Sequence, residues 1–284
     1  MSLRSIAELV PKHLESIPPL KEPVNHHPIA VFDSGLGGLT VLRALRGRLP
    51  REDFFYFADT RFLPYGDRPE VFLKERGVLI AEALARRGAK ALVIACNTAT
   101  AAAAEAIRAA SALPIVALEP GVKPAAVLTR TGVIGVLATT RTLESERFER
   151  LVGNHANHLR VVAQACPGLA EAIESEGPGS PAVAALLDAF VAPLAAANAD
   201  VVVLGCTHYP WVAEAIAERM PAGVTLLDTG EPVARQLERL LAAGGLIGGG
   251  QGRLTVATSG APVAVTATVD RLFGAKMHVE HWEP

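Results

Sequence analysis

The sequence is poor in cysteine: 284 residues contain three, Cys96, Cys166 and Cys206. So few cannot make a disulfide framework, and without a C-x-x-C pair a thiolate zinc site is not expected. Free thiols fit a reducing cytoplasm. An excess of either charge is also lacking: 27 Lys+Arg against 29 Asp+Glu leave a net charge of -2. No basic block supplies the positive face that a general nucleic-acid binder needs. No stretch reaches the roughly 18 uninterrupted apolar residues of a membrane span. The segment before Pro28 lacks the apolar core of a signal peptide. The expectation is a soluble cytoplasmic protein with neither a nucleic-acid nor a membrane partner. Several catalytic signatures are missing as well. DSGLGGLT (33–40) lacks the Lys of a P-loop and the third glycine of a dinucleotide fingerprint. No Arg follows Cys96 or Cys206 at the spacing of a cysteine phosphatase, and there is no G-x-S-x-G elbow.

What is present is a core-forming chain, 50% hydrophobic and 20% charged. Its length suits two α/β units of about 100–150 residues each. From Pro28 a strand-then-helix rhythm repeats, the pattern of parallel sheets. Strands are predicted at 29–32, 54–58, 91–95, 115–118, 132–137, 159–163, 201–204, 225–227 and 253–257. Helices are predicted at 39–49, 69–87, 98–110, 143–151, 181–197, 210–219, 231–242 and 269–273. Residues 1–27, broken by four prolines, read as an N-terminal appendage, and the glycine-dense run 244–252 reads as a flexible loop. Two passages look like one unit used twice. VFDSGLGG and VLATTRT are strand ends with small-residue turns; VIACNTAT and VVLGCTHY are apolar strands ending in Cys. The separations from Asp33 to Cys96 and from Ala138 to Cys206 are nearly equal.

Open α/β sheets bind ligands at strand carboxyl ends. Asp33, Ser34, Cys96, Asn97, Thr98, Cys206, Thr207 and His208 all fall there. Each of Cys96 and Cys206 precedes a predicted helix, whose N-terminal N–H groups favour a thiolate and hold a carboxylate. Either cysteine taken alone reads first as a small core hydrophobe. The polar flanks CNT and CTH, one per half, instead suggest a cleft with a sulfur on each wall. Cys166, in QACPGL, has no such mate and reads as core. Asp33 fits a turn acid as well as a functional one. His208 beside Cys206 reads as a proton carrier. His26 and His27 have no acidic partner at ligand spacing, so no metal site is expected.

At these residues the chain closely resembles the glutamate racemases of the cofactor-independent aspartate/glutamate racemase superfamily. The motifs are VFDSGLGGLTV, FADTRFLPYG, ACNTATA, ALEPGVKPA, GVIGVLATTRT, ACPGLAEAIESEG and LGCTHYP, in the family's order. The resemblance implies an α/β fold of two pseudo-symmetric open parallel-sheet domains with the active site in the cleft between them. The first domain would take 28–121 plus 233–284 and the second 122–232. It further implies two-base interconversion of L- and D-glutamate for peptidoglycan synthesis, with neither cofactor nor metal. Cys96 would take the α-proton of D-glutamate and Cys206 that of L-glutamate. Asp33 would assist the first thiol, His208 the second, and Glu174 would stand near that histidine. Ser34, Pro64, Tyr65, Gly66, Asn97, Thr98, Thr139 and Thr207 align with substrate contacts. A homodimer is expected, and the extension 1–27 would carry activation by a peptidoglycan precursor. Two alternatives stand beside this reading: a sister racemase or isomerase acting on aspartate, a hydantoin or maleate, and a non-catalytic amino-acid-binding regulator.

Overall fold

The computed structural model describes residues 26–274 and 276–284. The appendage of residues 1–27 therefore lies outside the described residues, except His26 and His27. The described residues form two parallel sheets. Strands β1 (Ile29–Asp33), β2 (Phe54–Ala58), β3 (Ala91–Ile94) and β4 (Ile115–Ala117) belong to the first. Strands β5 (Val133–Ala138), β6 (Arg160–Ala165), β7 (Val201–Leu204) and β8 (Thr225–Leu227) form the second. The last two strands, β9 (Leu254–Thr258) and β10 (Val279–His281), return to the first sheet beside β2. The spatial orders are β10-β9-β2-β1-β3-β4 and β6-β5-β7-β8. Four strands of the first sheet thus repeat in the second in the same order, with β3 and β7 in equivalent slots.

The reason for parallel sheets is visible in the strands themselves. β1, IAVFD, and β3, ALVI, are buried at every position, as expected for strands covered by helices on both faces. Each fully buried Ile, Leu or Phe there contributes roughly 1.5–3 kcal/mol. The crossover helices include α1 (Leu39–Arg48), α2 (Glu70–Arg86), α3 (Asn97–Ala110) and α4 (Val122–Leu128). The chain continues with α5 (Thr140–Leu143), α6 (Glu146–His155), α7 (Leu169–Glu176), α8 (Pro181–Ala196), α9 (Ala213–Glu218), α10 (Gly230–Ala243) and α11 (Pro262–Phe273). Among the described residues no helix is long and apolar enough to cross a membrane.

The sequence pattern misplaces several elements. It gives no helix over 122–128, where the structure has α4; Pro124 lies in its first turn, where a missing N–H costs little. The expected helix over 143–151 is two: α5 stops and Ser145 caps α6, its Oγ accepting from Phe148 N at 3.1 Å. The last helix begins at Pro262, well before 269, with proline in its first turn. The glycine-rich run 244–252 is seated on the first sheet. Gly248 N donates to Glu52 Oε1 at 2.9 Å and Gln251 N to Asp53 Oδ1 at 2.8 Å. A Cβ on Gly250 would come within 2.5 Å of the Arg51 carbonyl oxygen. Its glycines therefore permit close backbone packing rather than freedom.

Asp200, at the foot of β7, ties the α4–β5 turn to the second sheet. Its carboxylate accepts from Thr129 Oγ1 at 2.6 Å, Arg130 N at 2.7 Å and Thr131 Oγ1 at 3.0 Å. Desolvation opposes the charge, but these donors prevail and pull its pKa from 3.8 down to about 2. Asp200→Ala should cost about 0.5–1.5 kcal/mol at neutral pH by removing these bonds. A depressed folded pKa contributes its full stability above the unfolded value and loses it as pH falls through the folded one. The gap between parent and variant should therefore narrow as pH falls from about 4 toward 2, readable in urea melts at both pH values.

Candidate active site

A cavity of about 330 Å³ opens at the carboxyl ends of both sheets. Its walls come from the turns after β1 (Ser34), β2 (Leu63–Asp67) and β3 (Cys96–Thr98), facing those after β5 (Thr139, Thr140), β6 (Cys166–Gly168, Ala170, Glu171) and β7 (Gly205–His208). Thirteen sequence-predicted positions divide by placement. Ser34, Pro64, Tyr65, Gly66, Cys96, Asn97, Thr98, Thr139, Cys206, Thr207 and His208 line the cavity; Asp33 and Glu174 stand behind its walls. Both cysteines touch the same space and both are nearly buried, 6% and 7% exposed.

Cys96 caps α3. Its Sγ accepts from Ala99 N at 3.3 Å and lies 3.3 Å from Ser34 Oγ. The helix N-terminus was expected to favour a thiolate. Burial outweighs it: desolvation and the nearby Asp33 push the Cys96 pKa up to about 11, against the pull of Ser34 and Ala99. In the ligand-free protein Cys96 is therefore a thiol at neutral pH. Asp33 does not touch that sulfur. It is fully buried, with Oδ1 accepting from Ser34 N at 2.8 Å and Oδ2 from Gly38 N at 2.7 Å and the Tyr56 hydroxyl at 2.9 Å. Burial raises its pKa, against the His208 charge and the Gly38 and Tyr56 bonds. Its backbone and side-chain bonds shape the DSGLGG turn and so place Ser34 against Cys96.

Across the cavity Cys206 Sγ lies 3.5 Å from His208 Nδ1, and His208 Nε2 lies 2.6 Å from Glu174 Oε1. Burial disfavours an imidazolium, yet the sulfur and the Glu174 carboxylate override it and hold the His208 pKa well above 6.5. Glu174 itself resists the upward push of burial through His208 and Leu36 N, the latter donating at 2.7 Å, and its pKa is lowered. This carboxylate–imidazole–sulfur line depends on two glycines of the opposite sheet. A Cβ on Gly35 would sit 2.5 Å from Glu174 Oε1, and one on Gly37 would sit 2.4 Å from His208 Nδ1. No side chain larger than hydrogen leaves room for either group.

The PYG wall is held from below. Asp59 is fully buried, accepts from Tyr65 OH at 2.6 Å, and takes two bonds from Arg76, at 2.9 and 2.6 Å. Tyr65 therefore spends its hydroxyl on Asp59; burial and that carboxylate hold its pKa well above 10. Thr98 and Thr139 meet hydroxyl to hydroxyl at 3.0 Å, joining the two walls. Asn97 is the conspicuous free group: both ends of its buried amide lack a partner among the described residues. Among those residues no group of three or more His, Cys, Asp and Glu is placed to hold a metal.

Sequence reasoning missed the turn after β6. Cys166 is buried, as expected of a core cysteine, and burial pushes its pKa to about 12. Yet it also lines the cavity with Pro167, Gly168, Ala170 and Glu171. The strand-end rule that selected Cys96 and Cys206 would have selected this turn too. Asp59, Arg76 and Tyr56 carried no comparable signal.

Paired thiols at matching strand ends, lining one amino-acid-sized cavity, describe a racemase fold, and sequence comparison agrees. The chain belongs to the Asp/Glu/Hydantoin racemase family, whose model matches residues 73–237. Glutamate racemases are among its relatives in that family. The enzyme of Pseudomonas syringae pv. tomato is 50% identical over 242 residues, 84% of this chain and 88% of its own. Among solved structures, glutamate racemase from Bacillus anthracis superposes with a TM-score of 0.82 at 30% identity, covering 91% of this chain and 98% of its own. Escherichia coli glutamate racemase, in complex with L-glutamate and the activator UDP-MurNAc-ala, gives 0.79 at 28% identity, with 90% and 97% covered.

Proposed function

We propose that this chain interconverts L- and D-glutamate by passing protons between two thiols, without an added cofactor, and so supplies D-glutamate for peptidoglycan synthesis. The supporting observation is that Cys96 and Cys206, rooted in equivalent slots of two sheets, line one cavity. Inverting a stereocentre in a fixed substrate requires a base on one face and an acid on the other. With L-glutamate bound, the Cys206 sulfur removes the α-proton. The Cys96 thiol then gives its own proton to the opposite face, and D-glutamate leaves. The reverse reaction exchanges the two roles. The resting state favours the first direction: Cys96 is protonated, and an imidazolium sits beside Cys206.

The α-proton is very weakly acidic, so the carbanion depends on preorganised donors in a site shielded from water. The unpaired Asn97 amide and the N-terminal turn of α3 are the groups that would hold substrate carboxylate. Thr98, Thr139, Thr207, Ser34 and the Pro64–Gly66 turn would complete the contacts. Asp33 acts through Ser34, and Glu174 through His208. A peptidoglycan-precursor activator acting through residues 1–27, and a homodimer, belong to the same reading; the activator in the E. coli structure supports the first.

The deciding assay follows the circular-dichroism signal of L-glutamate over pure protein with no cofactor, and deuterium entry at Cα in heavy water. Decay of the signal with matching exchange is expected. Exchange of aspartate or a hydantoin in place of glutamate would assign the chain to a sister activity. Binding of glutamate without exchange would make it a regulator.

Two variants test the Cys206 wall. His208→Asn should lower kcat for L→D about 10–100-fold and for D→L by less; equal losses in both would count against its pairing with Cys206. Gly37→Ala places a methyl 2.4 Å from His208 Nδ1 and 2.6 Å from Thr207 Oγ1. It should displace the imidazole and reduce kcat at least about tenfold, with a melting temperature near that of the parent. An unchanged kcat would show that the ring can move without consequence.

A further inference from the structure

Beyond the proton-transfer groups, one side chain ties the two walls of the cavity together from outside it. Arg141 lies in α5, directly after the cavity-lining Thr139 and Thr140 on the second-sheet side. Its Nη2 donates to the backbone carbonyl of Arg68 at 2.9 Å. Arg68 directly follows Asp67, the end of the cavity-lining turn on the first-sheet side. The Arg68 side chain in turn donates from Nε to the Phe62 carbonyl at 3.0 Å, bracing the same turn from its other end. Arg141 is partly buried, and its Nε is enclosed without a partner among the described residues. A guanidinium half withdrawn from water and spending a charged donor on one carbonyl makes a stronger bond than an exposed pair.

We infer that Arg141 is a positioning residue: a latch that holds the Pro64–Asp67 turn against the Thr139–Thr140 turn and sets how far the glutamate cleft is closed before substrate arrives. The inference rests on the racemase reading and adds to it a determinant of substrate affinity. Charge surrounds the latch on both sides. The neighbouring groove is lined by Glu70, Glu105, Glu144 and Glu146 together with Lys74, Arg147 and Arg150, so the cation is balanced and the directional bond to Arg68 carries the selectivity. The Thr98–Thr139 hydroxyl pair also links the two sides, and behind the cavity Thr40 Oγ1 donates to the Thr207 carbonyl at 3.0 Å and Leu36 N to Glu174 Oε1 at 2.7 Å. None of these three bonds reaches the Pro64–Asp67 turn, whose end is tied to the second-sheet side by the Arg141 bond, a charge-assisted one. When the latch is lost, the closed form becomes a smaller fraction of the free protein. Apparent affinity falls by that fraction. Bound glutamate, touching both walls, closes the cleft again, so turnover changes little.

The test uses the full chain with Arg141→Met, which keeps the aliphatic stem, and Arg141→Lys, which keeps a charged donor on a shorter one. KM for glutamate is expected to rise about tenfold in Arg141→Met, with kcat within about threefold of the parent. Arg141→Lys should fall between them. The ligand-free thiols Cys96 and Cys206 should also react faster with iodoacetamide in Arg141→Met, because the cleft is open more often. An unchanged KM with unchanged alkylation, or a loss confined to kcat, overturns the latch. If the parent itself does not racemise glutamate, the functional reading fails instead, and the alkylation rates of parent and variant still decide the latch. Should Arg141→Met fold poorly, the same comparison between parent and Arg141→Lys decides it.

Discussion

Racemisation is expected to fall by at least about a thousandfold in Cys96→Ala and equally in Cys206→Ala, in both directions, while the fold persists. A positioned acid or base contributes about 10²–10⁴-fold to a proton transfer. Each direction needs both thiols, one to take a proton and one to give it, so neither loss can be offset by the survivor. The fold should persist because each change removes one sulfur atom beside a cavity, not a packed hydrocarbon. The partial reactions should separate. In Cys96→Ala the remaining Cys206 can still remove the α-proton of L-glutamate and return one to the same face. Deuterium should then enter L-glutamate faster than D-glutamate forms. Cys206→Ala should show the mirror behaviour with D-glutamate. Near-parental racemisation in either variant would sink the two-thiol mechanism.

Breaking the Asp59–Arg76 pair should give the largest change in stability. Asp59 is fully buried and Arg76 8% exposed, with two bonds between them and a third to Asp59 from Tyr65. The guanidinium also lies over the Phe62 ring at 4.5 Å. Asp59→Ala leaves a desolvated cation without its counter-charge and a buried phenol without an acceptor. Breaking one side of a buried pair costs about 3–5 kcal/mol, which for a protein of this size lowers the melting temperature by on the order of 10 °C. Because Tyr65 belongs to the PYG wall, KM for glutamate should rise as well. A loss below about 1 kcal/mol in a denaturant melt would show that water enters and solvates Arg76.

The legible part of the site was its strand ends. Cys96, Ser34, Cys206 and His208 could be found because a parallel sheet delivers the residues after its strands to one rim, and polar residues after apolar runs stand out. Glu174 came from family likeness alone: α7 is short and opens at Gly168, with φ +77°, so no polar cap announces it. Arg76 is one charge among many along α2, and nothing in its spacing marks it as the one that turns inward. The sulfur's environment was the least legible feature. A helix N-terminus suggested a thiolate at Cys96, whereas enclosure by neighbours distant in sequence keeps it protonated. Residues close in sequence set which group sits at a strand end; the distant ones set its charge.

The two sheets repeat one strand order, yet their walls differ: serine and a caged carboxylate behind one sulfur, imidazolium and glutamate behind the other. Enantiomers in water have equal free energy, so their equilibrium constant is one whatever the catalyst. The quotient kcat/KM must consequently match for both enantiomers in the parent and in every variant. Unequal walls can redistribute that quotient between turnover and saturation, never alter the balance. A substitution on one side that slows turnover of one enantiomer more than the other must lower the ratio of its KM to the other's by the same factor, a thermodynamic check on every kinetic assignment of the two thiols.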